Sequence, residues 1–346
     1  MNPADPPDDG PIYPDETPVL SDDDLWFLPG PSDDDDLEPQ PLPGQIAIPD
    51  IWRQAEAGLA ARLAHVAGQL GALDERLRRG PEGWRHRLAL IEAAELSWFA
   101  GDRIAPDRLA LWIALRLSGV QEDTAALARV GWAVRRLTSG PGPQEGLADF
   151  LGRHDPDTHN PEADSFADRA GTWQDHITAS RDLHPISRAC MGYHLWSLAG
   201  LGQQGDRMEA AVTAARIAAS GGKGAIFAPL AMGGAGGLRA GGPPAARLAR
   251  WLDGMDSAIL TAMRQLDDIE SWAARASLVM APLSGRTPPV LRDVLTEWPL
   301  ISAAMAETLT KASRAAVQRN LTWMEAKGLI REVTGQGRFR MWRAKL

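Results

Sequence analysis

Apolar residues recur every three or four positions along much of the chain, which is the spacing of one face of an α-helix. The first such face contains Leu59, Leu63, Val66, Leu70, Leu73 and Leu77. Gly80-Pro81 follows it directly, and this pair ends a helix. Similar patterns predict helices over roughly 84–100, 106–117 and 122–137, with Pro106 suited to a first turn.

The second half of the chain continues the helical pattern with two interruptions. Residues 139–178 have a looser pattern, and a Gly-rich stretch after residue 219 is predicted to be loop with a short buried apolar piece. Helices are predicted at about 185–202, 207–219 and 244–275. The last of these carries the apolar residues Leu248, Leu252, Met255, Ile259, Met263, Leu266 and Ile269, which indicate core packing; a homodimer seam is the alternative. No alternating strand pattern precedes Leu329, so the body is predicted to be all-α.

The last sixty residues predict three helices and a hairpin. "PVLRDVLTEWP" is a helix stopped by Pro299, and "ISAAMAETL" is a second helix with Ile301, Met305 and Leu309 on one side. The third helix, "SRAAVQRNLTWMEAKG", has Ser313 as its N-cap and Gly328 as its C-terminal glycine, with Val317, Leu321 and Met324 facing inward. Two short strands then flank Gly335–Gly337, and Phe339 and Met341 alternate with Arg338 and Arg340.

This order of elements is typical of a winged helix-turn-helix, whose last helix enters the major groove of DNA. Its outward residues near the N-terminus are Arg314, Ala315, Gln318 and Arg319, types that pair with base edges. Three residues, Thr310, Lys311 and Ala312, separate Leu309 from Ser313, whereas two are usual in a helix-turn-helix, so the exact register of the last helix is left open. The predicted DNA-binding residues are Lys311, Ser313, Arg314, Gln318, Arg319, Arg338 and Arg340. The alternative is a basic surface that mediates protein contacts only.

Charge is distributed unevenly along the 346 residues, whose net charge is -9. Residues 1–45 are rich in Pro and Asp and contain thirteen acids without a Lys or Arg, which predicts a disordered acidic tail. Removing these acids leaves +4 for residues 46–346, and residues 311–346 alone carry +7. We therefore expect a tail over 1–45, a helical body over 46–283 and a winged helix-turn-helix domain over 284–346.

Several classes of protein are disfavoured by composition. Cys190 is the single cysteine, which excludes an intrachain disulfide and a cysteine-rich zinc site and fits a reducing cytoplasm. No apolar run reaches the roughly 18 residues of a membrane span, and no signal-peptide pattern is present, so we expect a cytoplasmic protein without a membrane partner. The acidic cluster from His154 to Asp168 lies in a Pro-rich stretch without helical spacing, so we predict no metal and no cofactor.

Three segments resemble bacterial Fic-domain proteins. "GLIREVTGQGRFR", from Gly328 to Arg340, is similar to the end of their winged helix. "LARWLDGMDSAI" at 248–259 is similar to the segment after the Fic core, and "EAAELSWFAGDRI" at 92–104 is similar to their N-terminal segment. The whole layout resembles a family of rhizobial-type helix-turn-helix proteins. The resemblance implies a Fic-like helical body followed by a DNA-binding unit.

The Fic catalytic motif, H-P-F-x-[D/E]-G-N-G-R, is degenerate in this chain. His184-Pro185 are present, but Arg188 stands at the acidic position, and Ala189 and Met191 replace glycines that approach phosphate closely. We therefore expect a DNA-binding transcriptional regulator and not an enzyme. The alternatives are a divergent Fic-type nucleotidyltransferase centred on His184 and a protein-interaction module. An anion pocket beside His184 would support the nucleotidyltransferase.

Overall fold

The computed structural model describes residues 49–115, 123–153, 165–202, 207–239, 241–335 and 339–346. The acidic tail predicted for 1–45, Arg338 and most of the acidic cluster after His154 lie outside these residues. Within them the chain is mostly helical, with a small three-stranded antiparallel sheet near the C-terminus. No helix in these ranges is long and apolar enough to cross a membrane.

The helices of the body follow one another in chain order. They are α1 Pro49–Gly58, α2 Ala60–Arg79, α3 Gly83–Phe99, α4 Pro106–Leu115, α5 Thr124–Thr138, α6 Leu147–Leu151, α7 Phe166–Ala179, α8 Pro185–Leu198, α9 Met208–Ala218 and α10 Pro244–Met280. The C-terminal unit adds α11 Thr287–Glu297, β1 Ile301–Ser302, α12 Ala303–Thr310, α13 Arg314–Ala326, β2 Ile330–Glu332 and β3 Met341–Ala344.

Helices α2 and α10 form the central pair of the body. The apolar face predicted for α10 is buried at Leu248, Leu252, Met255, Ile259, Leu266 and Ile269, so core packing accounts for its stripe. Ion pairs join the edges of the two helices: Arg62 binds Asp253, and Arg76 lies 2.7 Å from Asp267. The same sequence offset recurs at each pair, so the two helices run parallel.

The sequence pattern is looser over residues 139–178, and the described part of this range contains α6 and most of α7. The longer one, α7, begins with a capping box in which Ser165 Oγ accepts the N–H of Asp168 at 3.1 Å and Asp168 accepts the N–H of Ser165 at 3.2 Å. Asp168, a candidate metal ligand by sequence, therefore has a local structural partner. Phe166, Ala170, Trp173 and Ile177 are buried at helical spacing, so a period of 3.6 was present in the sequence.

The Gly-rich stretch after α9 is loop around a buried apolar piece, as predicted, and a buried carboxylate fixes it. Glu92 on α3 is fully buried and accepts backbone N–H groups of Leu230 and Ala231 at 2.9 Å and of Met232 at 3.1 Å. Burial raises the pKa of Glu92 to about 7, although the three N–H groups partly oppose the rise. This carboxyl therefore joins α3 to the loop that leads into α10.

Candidate nucleic-acid interface

Between α11 and α12 the C-terminal unit contains a strand, β1, that the sequence pattern did not indicate. β1 pairs with β3 at Ile301 and Trp342, and β3 pairs with β2 at Arg331 and Arg343, so β3 lies in the middle of the sheet. The predicted helix over "ISAAMAETL" is therefore wrong at its first two residues. Ser302 instead caps α12 by accepting the N–H of Met305 at 3.1 Å.

Helix α12 also buries a different face from the predicted one. Ala306 and Thr310 are buried, whereas Leu309 is 42% exposed. The hydroxyl of Thr310 donates to the carbonyl of Ala306 at 2.6 Å, so Thr310 is the last residue of α12 and not the first residue of the turn. The turn thus has the usual two residues, Lys311 and Ala312, before the cap of the next helix. Lys311 ends α12 with a φ of 52°, in the left-handed region.

Helix α13 has the cap and the buried face that the sequence predicts. Ser313 Oγ accepts the N–H of Ala316 at 3.3 Å, and Gly328 follows the helix with a φ of 69°. Val317, Leu321 and Met324 are fully buried against the rest of the unit. This packing fixes which residues of α13 point outward.

Five of the predicted DNA-binding residues share the opposite surface. Lys311, Ser313, Arg314, Gln318 and Arg319 are all exposed, and we call this surface the α13 face. Within the described part of the chain, the side chains of Lys311, Arg314, Gln318 and Arg319 make no hydrogen bond or ion pair. Their polar groups are therefore directed to solvent.

The hairpin differs from the α13 face because its described arginines have internal partners. Arg340 Nη2 lies 3.2 Å from Glu325 Oε2 on α13, and its guanidinium stacks 5.0 Å from the ring centre of Trp342. Arg331 and Arg343 both bind Asp107 on α4. Of the two predicted wing contacts, Arg340 is thus engaged within the protein, and Arg338 lies outside the described residues.

The predicted alternation of the second hairpin strand fails at its start. Phe339 has a φ of 57° and is 73% exposed, whereas Met341 is 4% exposed. β3 begins only at Met341, so Arg340 precedes the strand. The left-handed backbone at Phe339 breaks the two-residue period that the sequence pattern assumed.

Among the described residues, three side chains of the body donate hydrogen bonds to backbone carbonyls of the C-terminal unit. Arg87 Nη2 on α3 donates to the carbonyls of Leu295, Thr296 and Trp298 at 3.0–3.3 Å, where its positive charge suits the C-terminal end of α11. On α10, Trp272 Nε1 donates to the carbonyl of Leu329 at 2.7 Å, and Arg275 Nη2 donates to that of Lys345 at 2.6 Å. These bonds fix the orientation of the unit on the body.

His184, the centre of the alternative enzyme hypothesis, caps α8. Its imidazole Nδ1 accepts the backbone N–H of Ile186 at 3.2 Å, and the backbone N–H of His184 donates to Glu56 Oε2 at 3.0 Å. Burial is the largest cause that lowers the pKa of His184, and Glu56 partly opposes it. Ala189, at a position where Fic enzymes have glycine, is fully buried in the core.

A cavity of about 400 Å³ opens beside His184. Its lining comprises Arg53, Glu56, Ala57, Ala60, Leu63, Ala64, Ala67, Asp182, Leu183 and His184. The cation of this lining, Arg53, is bound by Asp182 at 2.5 Å and by Asp50 at 2.6 Å, so the acids outnumber the available positive charge. Such a rim repels the phosphates of a nucleotide, and it is not the anion pocket that would favour nucleotide transfer.

Comparison with known proteins adds no relative. No protein-family model matches the chain, and no curated protein matches it. The resemblance to Fic-domain proteins and to rhizobial helix-turn-helix proteins therefore stays a prediction from the sequence.

Proposed function

We propose that this protein binds double-stranded DNA and acts as a transcriptional regulator. In this proposal α12, the turn and α13 form the helix-turn-helix, and β2 and β3 form its wing. The observation that carries the proposal is the α13 face, where Lys311, Arg314 and Arg319 have no partner among the residues that the structure describes. Exposed cations without an ion-pair partner are available to phosphates and base edges, and an α-helix fits the major groove.

The residues of the α13 face have different roles in the proposal. Arg314 and Gln318 stand on the first turns of α13, where Arg pairs with guanine and Gln with adenine; Arg319 extends the same surface. Lys311, in the turn, supplies a positive charge for the backbone. Ser313 orders the first turn of α13 through its capping bond.

The body serves in this proposal as a Fic-like scaffold that does not transfer nucleotides. Two observations support this part: the acidic rim of the cavity beside His184, and the buried Ala189 where phosphate binding needs a glycine. Incubation with labelled nucleoside triphosphates and candidate target proteins tests it. Incorporated label that disappears in His184→Ala would establish the enzyme alternative instead.

A salt-titrated binding assay of the full chain on selected and random duplexes tests DNA binding. Arg314→Ala should weaken binding, and Arg264→Ala is a matched control because Arg264 is an exposed arginine on another helix, α10. If the wild type binds no duplex at low salt, or if both variants bind alike, α13 serves as a protein-contact surface.

A further inference from the structure

Two arginines of the hairpin share one carboxylate of the body. Arg343 Nη1 lies 2.5 Å from Asp107 Oδ1, and Arg331 Nη2 lies 3.0 Å from Asp107 Oδ2. The two arginines are direct partners across β2 and β3, and like charges in that position repel each other. A single carboxylate offsets only one of the two positive charges.

A third arginine adds to this excess. Arg87 is 7% exposed and binds backbone carbonyls, and no carboxylate in the described ranges pairs with it. Burial, with a smaller contribution from the nearby charge of Arg343, lowers the pKa of Arg87 to about 10. The Nε atoms of Arg87 and Arg343 are buried without a hydrogen-bond partner. Three guanidinium groups and one carboxylate therefore carry a net charge of +2.

The surroundings of this group also favour an anion. Asp107 lies in the first turn of α4, so the positive end of that helix faces the same place. The side chains of Arg331, Arg343 and Asp107 are 55%, 38% and 34% exposed, so a ligand can reach them from solvent. We call Arg87, Asp107, Arg331 and Arg343 the junction cluster.

We propose that the junction cluster binds a phosphate group. Guanidinium groups present paired N–H donors that match two oxygens of phosphate, and a dianion would offset the net charge of +2. The site is separate from the α13 face, and it links α4 of the body to β2 and β3 of the C-terminal unit. Its phosphate comes either from a small molecule or from the backbone of bound DNA.

Calorimetric titration of the full chain with inorganic phosphate, at constant ionic strength in chloride, tests the site. Wild type should bind phosphate, and Arg343→Gln should weaken binding on the order of tenfold because one charge and one fork of donors are lost. Arg331→Gln, at a more exposed position, should act in the same direction if Arg343→Gln does not fold. Asp107→Asn should tighten binding several-fold, since a competing carboxylate is removed.

Arg264→Gln is the matched control, because Arg264 is an exposed arginine on α10 that lies outside the junction cluster. It should leave phosphate affinity unchanged. The proposal is overturned if neither the wild type nor Asp107→Asn binds phosphate. It is equally overturned if Arg264→Gln weakens binding as much as Arg343→Gln and Arg331→Gln do.

A second arm separates the two sources of phosphate. If Arg331→Gln lowers the salt slope of duplex binding by about one ion, the cluster contacts the DNA backbone. If the slope is unchanged while phosphate affinity falls, the ligand is a small molecule. The phosphate titration contains no DNA, so the site stands or falls independently of the proposed function, which Arg314→Ala tests alone.

Discussion

The α13 face and the hairpin are both basic, but their charges are held differently. Lys311, Arg314 and Arg319 are exposed and have no partner in the described part of the chain, whereas Arg340 binds Glu325. Arg331 and Arg343 bind Asp107. The sequence predicted that two arginines of the hairpin, Arg338 and Arg340, contact DNA together with the α13 face. The comparison teaches that the nearest carboxylate, and not the number of arginines, decides which of them is free to meet a partner.

The largest expected effect separates the two sides of α13 itself. Leu321→Ala removes a fully buried side chain and should lower the free energy of unfolding by about 2–5 kcal/mol. DNA binding should be lost together with the fold, in contrast to a change on the α13 face. Chemical denaturation checks this, with Thr322→Ala, at an exposed neighbouring position, as the control. Equal stability of the two variants would contradict the packing of α13.

A pH series separates the stability of the body from binding at the α13 face, which carries no Asp, Glu or His. The folded pKa of Glu92, about 7, lies above the ordinary value of 4.5, so the folded state holds the proton more tightly. The stabilisation from this group is full below about pH 4.5 and is lost as pH rises through 7, a change on the order of 3 kcal/mol. Denaturation of wild type and Glu92→Gln between pH 4.5 and 7.5 measures it. The variant should lose this slope, and parallel curves would show that Glu92 does not titrate there.

The next effect concerns specificity. Replacing Arg314 or Gln318 with Ala should cost on the order of 1–3 kcal/mol on the preferred duplex and relax sequence preference at one position. Both side chains are exposed, so protein stability should not change. Binding to a panel of selected and mutated duplexes measures the effect. A uniform loss on all duplexes would reassign these side chains to backbone contacts.

The smallest effects test the paired state of the hairpin. Glu325→Gln removes the partner of Arg340, so random duplexes should bind more tightly at low salt, with a slope larger by about one ion. Arg340→Ala should cost less than Arg314→Ala, because the wild-type ion pair must break before Arg340 can meet a phosphate. Salt-titrated binding of the three variants measures both differences. If Arg340→Ala proves as costly as Arg314→Ala, the pairing with Glu325 does not persist on DNA.

Local rules predicted α13 well and its surroundings less well. The cap at Ser313 and the buried Val317 and Leu321 follow from neighbouring residues alone, so the sequence was sufficient. β1 has two residues and exists because Ile301 pairs with distant Trp342, which no local pattern reveals. The ion pairs of Asp107 also join residues that are distant in the sequence, so no local pattern reveals them either.

The internal partners of the hairpin lie far away in the sequence. Asp107 is 224 residues from Arg331 and 236 residues from Arg343, so these pairs are visible only once the chain has folded. The exposed position of Phe339 depends on a backbone conformation that is rare outside glycine. The outward residues of α13 were therefore predictable, whereas the ion pairs of the hairpin arginines were not.

The bonds from Arg87 to the C-terminal end of α11 also decide whether the C-terminal unit can be moved by itself onto another protein. A C-terminal piece beginning at residue 284 would leave behind the donors that α3 and α10 give to Trp298, Leu329 and Lys345. A chimera that moves the C-terminal unit onto another scaffold must therefore carry α3 and α10 with it, so the segment from α3 onward would be transferred as one piece.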